Sequence, residues 1–298
     1  MSLPANLEVS TVKIRYFAFN CLEIKLPSGK TVVVDPCLHK EGRMSCGYGV
    51  EDLEGCDYVF VNHSHGDHVG SLGELYNRFH PQIMAHAATS YDLAKLYDIP
   101  YIRFIPFTFN DELDFDDFKM KFIAGRHNNI VPGNFMVRPS GYRDELCPEK
   151  STLPSMKGEQ TELEKHLGDL GTAYGSNFLM TLPNNLKIGL FAGNAGFSDP
   201  QDKNLWKNLR PDIIFAHRAK FGPFEADDCA NKMADILEVT GARILVPIHI
   251  EDAYSGKYNP EDYINAVNAA CEKRGIAGRC MFFERAQWYQ FYTGVAKA

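Results

Sequence analysis

One short segment, residues 63 to 68, brings together side chains that can bind a metal ion, since it reads His-Ser-His-Gly-Asp-His. Imidazole and carboxylate groups are common protein ligands of zinc and of other divalent transition-metal ions. His63 and His65 project to the same side of an extended segment, so they can bind one ion together. Asp67 and His68 follow in the turn and point to the neighbouring space. The segment therefore predicts a metal site with a second ion position, rather than a solvated histidine-rich turn.

The flanking sequence indicates which elements hold this segment. The apolar run from Tyr58 to Val61 stops at the cluster, and residues 69 to 79 carry apolar side chains at helical spacing. We therefore expect the histidines at a strand-to-helix junction. Earlier, residues 12 to 35 read as short β segments with a Pro-Ser-Gly-Lys turn, which predicts an antiparallel start.

The rest of the chain alternates strand and helix patterns in two β-then-α halves. Two sheets packed face to face, with helices over each outer face, satisfy this order. We therefore predict an α/β fold, a four-layer αββα sandwich, with residues 1–298 as a single domain. Residues 139–171 are polar and rich in proline, glycine and charge, and we interpret them as an inserted surface loop or lid.

The cluster and the order of elements resemble the metallo-β-lactamase superfamily, whose His-x-His-x-Asp-His motif residues 63 to 68 match. The resemblance extends over nearly the whole chain and implies the αββα sandwich of that superfamily and a metal-dependent hydrolase. It also implies two further histidine ligands. They are His127, which follows a strand pattern, and His249, at the end of the apolar run Val-Pro-Ile-His.

One residue departs from the superfamily pattern. Members usually place a metal-bridging aspartate in a Gly-Asp-Ser or Gly-Asp-Thr turn, whereas the corresponding turn here carries Asn194. An alternative alignment would use Asp199, which precedes Pro200. An amide oxygen is neutral and a weaker ligand than a carboxylate, so it offsets the repulsion between two dications less well. Either a single ion or a weak second ion is therefore expected.

The expected cofactors are one or two divalent ions, zinc first, with manganese, iron and nickel as alternatives. The first ion would be bound by His63, His65 and His127, and the full set of expected ligands is His63, His65, Asp67, His68, His127, Asn194 and His249. A bound ion lowers the pKa of its water and polarises a substrate oxygen. Asp67, with His68, is expected to position this water and accept its proton, so we assign both as catalytic.

The substrate class rests on a finer resemblance. An early Asp-Pro turn and the late Val-Pro-Ile-His run are similar to the group containing ascorbate-6-phosphate lactonase. That lactonase-like group implies a small ester, lactone or phosphate-bearing substrate and often a homo-oligomer. The candidates for binding an anionic group are Arg126, His217, Arg218 and Lys220. They can equally be surface charges, and His217 can instead be an acid/base or an extra ligand.

Composition disfavours several other classes. The net charge is −7 and we find no basic stripe, so no nucleic-acid partner is expected. No basic start with an apolar run and no bilayer-length apolar stretch occurs, so we expect a cytoplasmic protein without a membrane partner. The eight cysteines form no Cys-x-x-Cys pair and are expected to be reduced.

Two rival functions on the same fold stay open. A non-haem iron oxidoreductase is the first, although such branches usually carry glutamate where His65 stands. A degenerate protein that binds metal or ligand without turnover is the second, and Asn194 motivates it. Hydrolysis of antibiotics is disfavoured because an export signal is missing.

Overall fold

We describe the protein from a computed structural model, whose described residues are 10–41, 45–125, 161–192, 200–217, 226–250 and 260–293. Within these ranges the strands form two sheets of seven. The first sheet contains β1 (Ser10–Tyr16), β2 (Leu22–Lys25), β3 (Thr31–Val34), β4 (Tyr58–Phe60), β5 (Gln82–His86), β6 (Phe104–Phe107) and β14 (Tyr289–Thr293). The second contains β7 (Glu112–Asp114), β8 (Lys119–Ala124), β9 (Ser176–Thr181), β10 (Lys187–Phe191), β11 (Ile213–His217), β12 (Ile244–Ile248) and β13 (Arg279–Cys280).

The helices of the described residues follow the strands in both halves. They are α1 (Gly66–Val69), α2 (Leu72–Phe79), α3 (Ala87–Leu96), α4 (Glu162–Ala173), α5 (Pro200–Leu209), α6 (Ala226–Thr240) and α7 (Pro260–Arg274). Two short 3-10 helices, Val50–Asp52 and Tyr101–Arg103, lie in connections. In the part of the chain that the structure describes, no helix is both long and apolar enough to cross a membrane.

Each sheet is antiparallel at one side and parallel at the other. In the first sheet, β1 to β3 are antiparallel and β3 to β6 are parallel. In the second sheet, β7 to β10 are antiparallel and β10 to β13 are parallel. Parallel neighbours end at the same edge, where ligands commonly bind. The residues that follow β3 and β4 therefore lie at one edge of the first sheet, and those that follow β11 and β12 lie at one edge of the second.

The core is layered as the pattern of residues requires. Val32 and Val34 pack between the two sheets, while Val33 packs under the helices, because successive side chains of a strand face opposite ways. Between the sheets, the rings of Phe107 and Phe122 stack at 3.9 Å. Helices α1 to α4 cover the first sheet, and α5 to α7 cover the second. The predicted αββα sandwich is confirmed.

Two predicted elements differ in detail. The helical pattern of residues 69 to 79 is divided between α1 and α2, because Gly70 and Ser71 separate them. In the predicted insertion at 139–171, residues up to 160 lie outside the described ranges, but the remainder belongs to α4 rather than to a loop. Thr161 and Glu164 form a capping box at its start, which stabilises a helix despite the polar composition.

Seven of the eight cysteines belong to the described ranges. All seven are buried, and no two of them are joined by a disulfide. Their reduced state stays a prediction. Cys147 lies outside the described residues.

Candidate metal centre

The histidine cluster lies where β4 gives way to α1, as predicted. The strand ends at Phe60, His65 is the N-terminal cap residue of α1 with extended backbone angles, and Asp67 lies in the first helical turn. His63, His65, Asp67 and His68 are all buried. Polar groups removed from water in this way are unfavourable unless they are hydrogen-bonded or bind an ion. The burial of so many titratable side chains therefore needs a cause.

The buried side chains converge closely. The rings of His63 and His68 have centroids 3.7 Å apart, and those of His63 and His65 are 4.5 Å apart. The donor atoms of His63, Asp67 and His68 all lie within 4.8 Å of one another. One ion can be reached by all three.

The second sheet supplies two more histidines to the same place. His249 follows β12, and its Nε2 lies 3.1 Å from Oδ2 of Asp67. His217 ends β11, and its ring centroid is 4.8 Å from that of His249. The donor atoms of His68, His217 and His249 also lie within 4.8 Å of one another. The cluster thus spans both sheets of the sandwich.

Two of the residues that directly follow strands beside the cluster have left-handed backbone conformations that side chains other than glycine rarely adopt. Asp35, directly after β3, has φ 45°, and His249, directly after β12, has φ 59°. Each conformation costs on the order of 1–3 kcal/mol and needs support from its surroundings. The backbone N–H of Asp35 donates to Phe60 O over 2.9 Å, and that of His249 donates to Phe19 O over 2.7 Å. These two hydrogen bonds support the strained backbone of Asp35 and His249 beside the cluster.

A hydrogen bond to a buried carboxylate orients His68. Nδ1 of His68 donates to Oδ2 of Asp35 over 2.8 Å, and the same oxygen accepts from Nδ2 of Asn20 over 3.0 Å. Oδ1 of Asp35 accepts from the backbone N–H of Asn62 over 2.6 Å. Because the proton of His68 is held at Nδ1, its Nε2 is unprotonated and is the nitrogen left for a metal ion.

One ring nitrogen of His63 and one of His65 are likewise hydrogen-bonded to an oxygen atom. Nδ1 of His63 donates to Oδ1 of Asn62 over 2.5 Å, and the amide nitrogen of Asn62 donates to Ser176 O. Nε2 of His65 donates to Gly168 O, in α4, over 2.9 Å. Both acceptors are oxygens without protons, so each neutral ring keeps its second nitrogen unprotonated. Metal ligation requires this state.

Asp67 provides the negative charge of the cluster. Burial alone would raise the pKa of its carboxyl group, but the neighbouring His68, a hydrogen bond from His249 and the nearby His65 hold that pKa well below its usual value. Among the described residues, no hydrogen-bond donor reaches the buried Oδ1 of Asp67. An ionised, buried carboxylate oxygen without a donor fits a bound cation.

The structure brings together six of the predicted site residues: His63, His65, Asp67, His68, His217 and His249. The others lie outside the described residues: Arg126, His127, Asn194, Arg218 and Lys220. Their roles stay predictions.

Sequence reasoning missed the supporting shell of Asn20, Asp35 and Asn62. Asp35 had a usable signal, because an aspartate directly after an apolar strand and beside the cluster strand is well placed to hold a histidine. Asn20 had none, since a single asparagine in a turn normally serves the turn itself.

A comparison with known families agrees with this geometry. The family model described as Metallo-beta-lactamase superfamily matches residues 19–142, which contain the cluster and His127. A UPF0173 metal-dependent hydrolase of Staphylococcus saprophyticus is 30% identical over 108 residues, which are 35% of this chain and 43% of that protein. Another of the same name, from Methanobrevibacter smithii, is 22% identical over 260 residues, 86% of this chain and 89% of that protein. The chain thus spans less than half the length of the staphylococcal relative.

Solved structures show the same fold. The metallo-beta-lactamase fold protein YhfI from Bacillus subtilis matches with a TM-score of 0.59, covering 95% of this chain and 100% of that chain at 12% identity. Such a distant likeness identifies the fold alone. The resemblance to the metallo-β-lactamase superfamily is confirmed, and the described residues have the metallo-β-lactamase fold.

Proposed function

We propose that the protein is a metal-dependent hydrolase that uses divalent ions held by the buried histidine cluster around Asp67. The observation that carries this proposal is a set of hydrogen-bond partners: one ring nitrogen of each of His63, His65 and His68 lies beside an oxygen that can only accept. Their unprotonated nitrogens are the ones available to an ion. The relatives named as metal-dependent hydrolases support the same activity.

The proposed roles of the protein's own residues are metal binding and positioning of the attacking water. The proposed ligands are His63, His65, Asp67, His68, His249 and the predicted His127 and Asn194. A bound divalent ion supplies a water of lowered pKa and polarises the substrate oxygen. Asp67 stays ionised at neutral pH because its pKa is well below the usual value. It can therefore accept a hydrogen bond from the attacking water and, with His68, position that water for attack.

For the substrate we propose a small ester, lactone or phosphate-bearing molecule. This class rests on the resemblance to lactonase-like proteins and on the predicted basic residues Arg126, Arg218 and Lys220. An anionic group of the substrate would bind these side chains while the bond to be cleaved lies at the cluster.

The test is hydrolysis of a panel of chromogenic esters, lactones and phosphoesters by protein stripped with chelator and reloaded with zinc or manganese. Activity that is lost on stripping, regained on reloading and absent from His63→Ala supports the proposal. His166→Ala is the control, because His166 is largely exposed and contacts only Asp92 among the ion pairs of the described residues. Metal binding without turnover of any substrate would favour the degenerate binder. Iron with oxygen-dependent turnover would favour the oxidoreductase.

A further inference from the structure

His217, which the sequence offered as a substrate-binding residue, is buried among the histidines of the cluster. It is 3% exposed at the end of β11, and one of its ring nitrogens lies within 4.8 Å of ligand atoms of both His68 and His249. The three rings come from different elements, α1, β11 and the turn after β12. Three buried imidazoles at this spacing can bind one ion.

The hydrogen bonds around Asn20 decide which nitrogen of His217 carries its proton. The carboxylate of Asp35 only accepts, so the amide group of Asn20 that lies 3.0 Å from it must be the NH₂ group. The oxygen of that amide then lies 2.5 Å from Nε2 of His217 and accepts its proton. Nδ1 of a neutral His217 is therefore unprotonated. The same carboxylate thus fixes the proton of His68 directly and that of His217 through Asn20.

We propose that His217 is a metal ligand and forms, with His68 and His249, a three-histidine ion position. This inference rests on the proposed metal-dependent function. In the sequence, Asn194 stands where the superfamily usually has a bridging aspartate, and an amide is the weaker ligand. The imidazole of His217 supplies a further donor to the second ion. A position of three imidazoles favours zinc, iron or nickel, whereas carboxylates favour manganese.

The test is equilibrium binding of zinc, and separately of manganese, to chelator-stripped wild type, His217→Ala and His217→Asp. We expect His217→Ala to bind one zinc ion fewer than the wild type, or to bind its weaker ion about 100-fold less tightly. His217→Asp is expected to lower the ratio of zinc to manganese affinity, because a carboxylate replaces an imidazole. His86→Asn is the control, since His86 is similarly buried but belongs to neither ligand group of the described residues.

The outcomes separate this inference from the proposed function. A wild type that binds no ion overturns both. A wild type that binds ions, with His217→Ala equal to it in stoichiometry and affinity, overturns the role of His217 alone. Circular dichroism of the metal-free variants establishes whether they are folded. If His217→Ala does not fold, nitrogen-15 spectra of histidine-labelled wild type decide: zinc must shift the Nδ1 signal of His217, and an unmoved signal overturns the inference.

Discussion

Nδ1 of His68 donates to the carboxylate of Asp35 over 2.8 Å, although the two residues are 33 positions apart in the chain. The contact joins the strand end of β3 to helix α1 and presents Nε2 of His68 to the cluster. Asp35 itself is fully buried, and among the described residues its carboxylate accepts from no cluster side chain other than His68. Its effect on a metal ion must therefore pass through the histidines whose protons it fixes, His68 directly and His217 through Asn20.

Replacing this carboxylate should weaken metal binding without removing a ligand. For Asp35→Asn we expect a loss of about 10–100-fold in metal affinity, because the amide holds the tautomer of His68 less firmly. Competition with a chromogenic chelator measures this loss. Asp212→Asn is a matched control, since Asp212 accepts from the backbone N–H of Lys187 over 2.9 Å, in the second sheet and away from the cluster. Equal affinities in the two variants would contradict the prediction.

Helix α4 should support the cluster through Leu167. Its side chain is buried under the first sheet, its carbonyl accepts from Oγ of Ser64 over 2.5 Å, and the next residue, Gly168, accepts from His65. Leu167→Ala is expected to lower the free energy of unfolding by about 2–5 kcal/mol and also to weaken metal binding. Leu237→Ala, equally buried under the second sheet, should destabilise similarly but leave metal affinity unchanged. Urea unfolding and metal titration of both variants test this contrast.

Gly70 should tolerate no side chain. A Cβ atom there would lie 2.7 Å from the backbone oxygen of Gly66 and 2.9 Å from Nε2 of His39. Because Gly66 separates His65 from Asp67, relief of this clash must move the cluster. We expect Gly70→Ala to destabilise the protein by about 1–3 kcal/mol and to weaken metal binding. Gly168→Ala has open space around the new atom and lies inside α4, so stability that is equal or higher by up to about 1 kcal/mol, with unchanged affinity, is expected for that control.

A buried histidine outside the cluster should make stability depend on pH. Burial lowers the pKa of His86 to about 4, and its Nδ1 accepts from the backbone N–H of Ala88 at the start of α3. The unfolded chain, with a histidine pKa of about 6.5, therefore binds more protons between these values. The free energy of unfolding should therefore rise as the pH rises from about 4 to about 6.5. Above that window the stabilising contribution of neutral His86 is complete. The contribution of His86 is on the order of 3 kcal/mol.

His86→Asn should flatten this part of the pH profile, measured by urea unfolding in the presence of chelator. Parallel profiles for His86→Asn and the wild type would refute the assignment.

Much of the fold followed from local patterns in the sequence. The run from Tyr58 and the helical spacing after Val69 predicted the strand-to-helix junction, and β4 and α1 lie there. The layers followed because amphipathic helices and two groups of strands have few ways to bury their apolar faces. By contrast, α4 was missed since its polar composition outweighed the capping box of Thr161 and Glu164.

The supporting hydrogen bonds could not be predicted from the sequence. Asn20 and His217 are 197 positions apart, and their contact exists only because the two sheets meet at one edge. No local propensity reports on such a pair. The histidines were recognised by residue type and spacing, whereas their partners are ordinary polar residues that become informative only in three dimensions.

The central claim, that the cluster is a metal site, is tested most directly by elemental analysis of wild-type protein purified without added metal or chelator. The comparison is the double variant His63→Ala, Asp67→Asn, with circular dichroism to establish folding. We predict at least one divalent transition-metal ion per wild-type chain, zinc first, and a marked loss in the variant. Wild-type protein that is folded, holds no ion and binds none on addition of zinc would contradict the account.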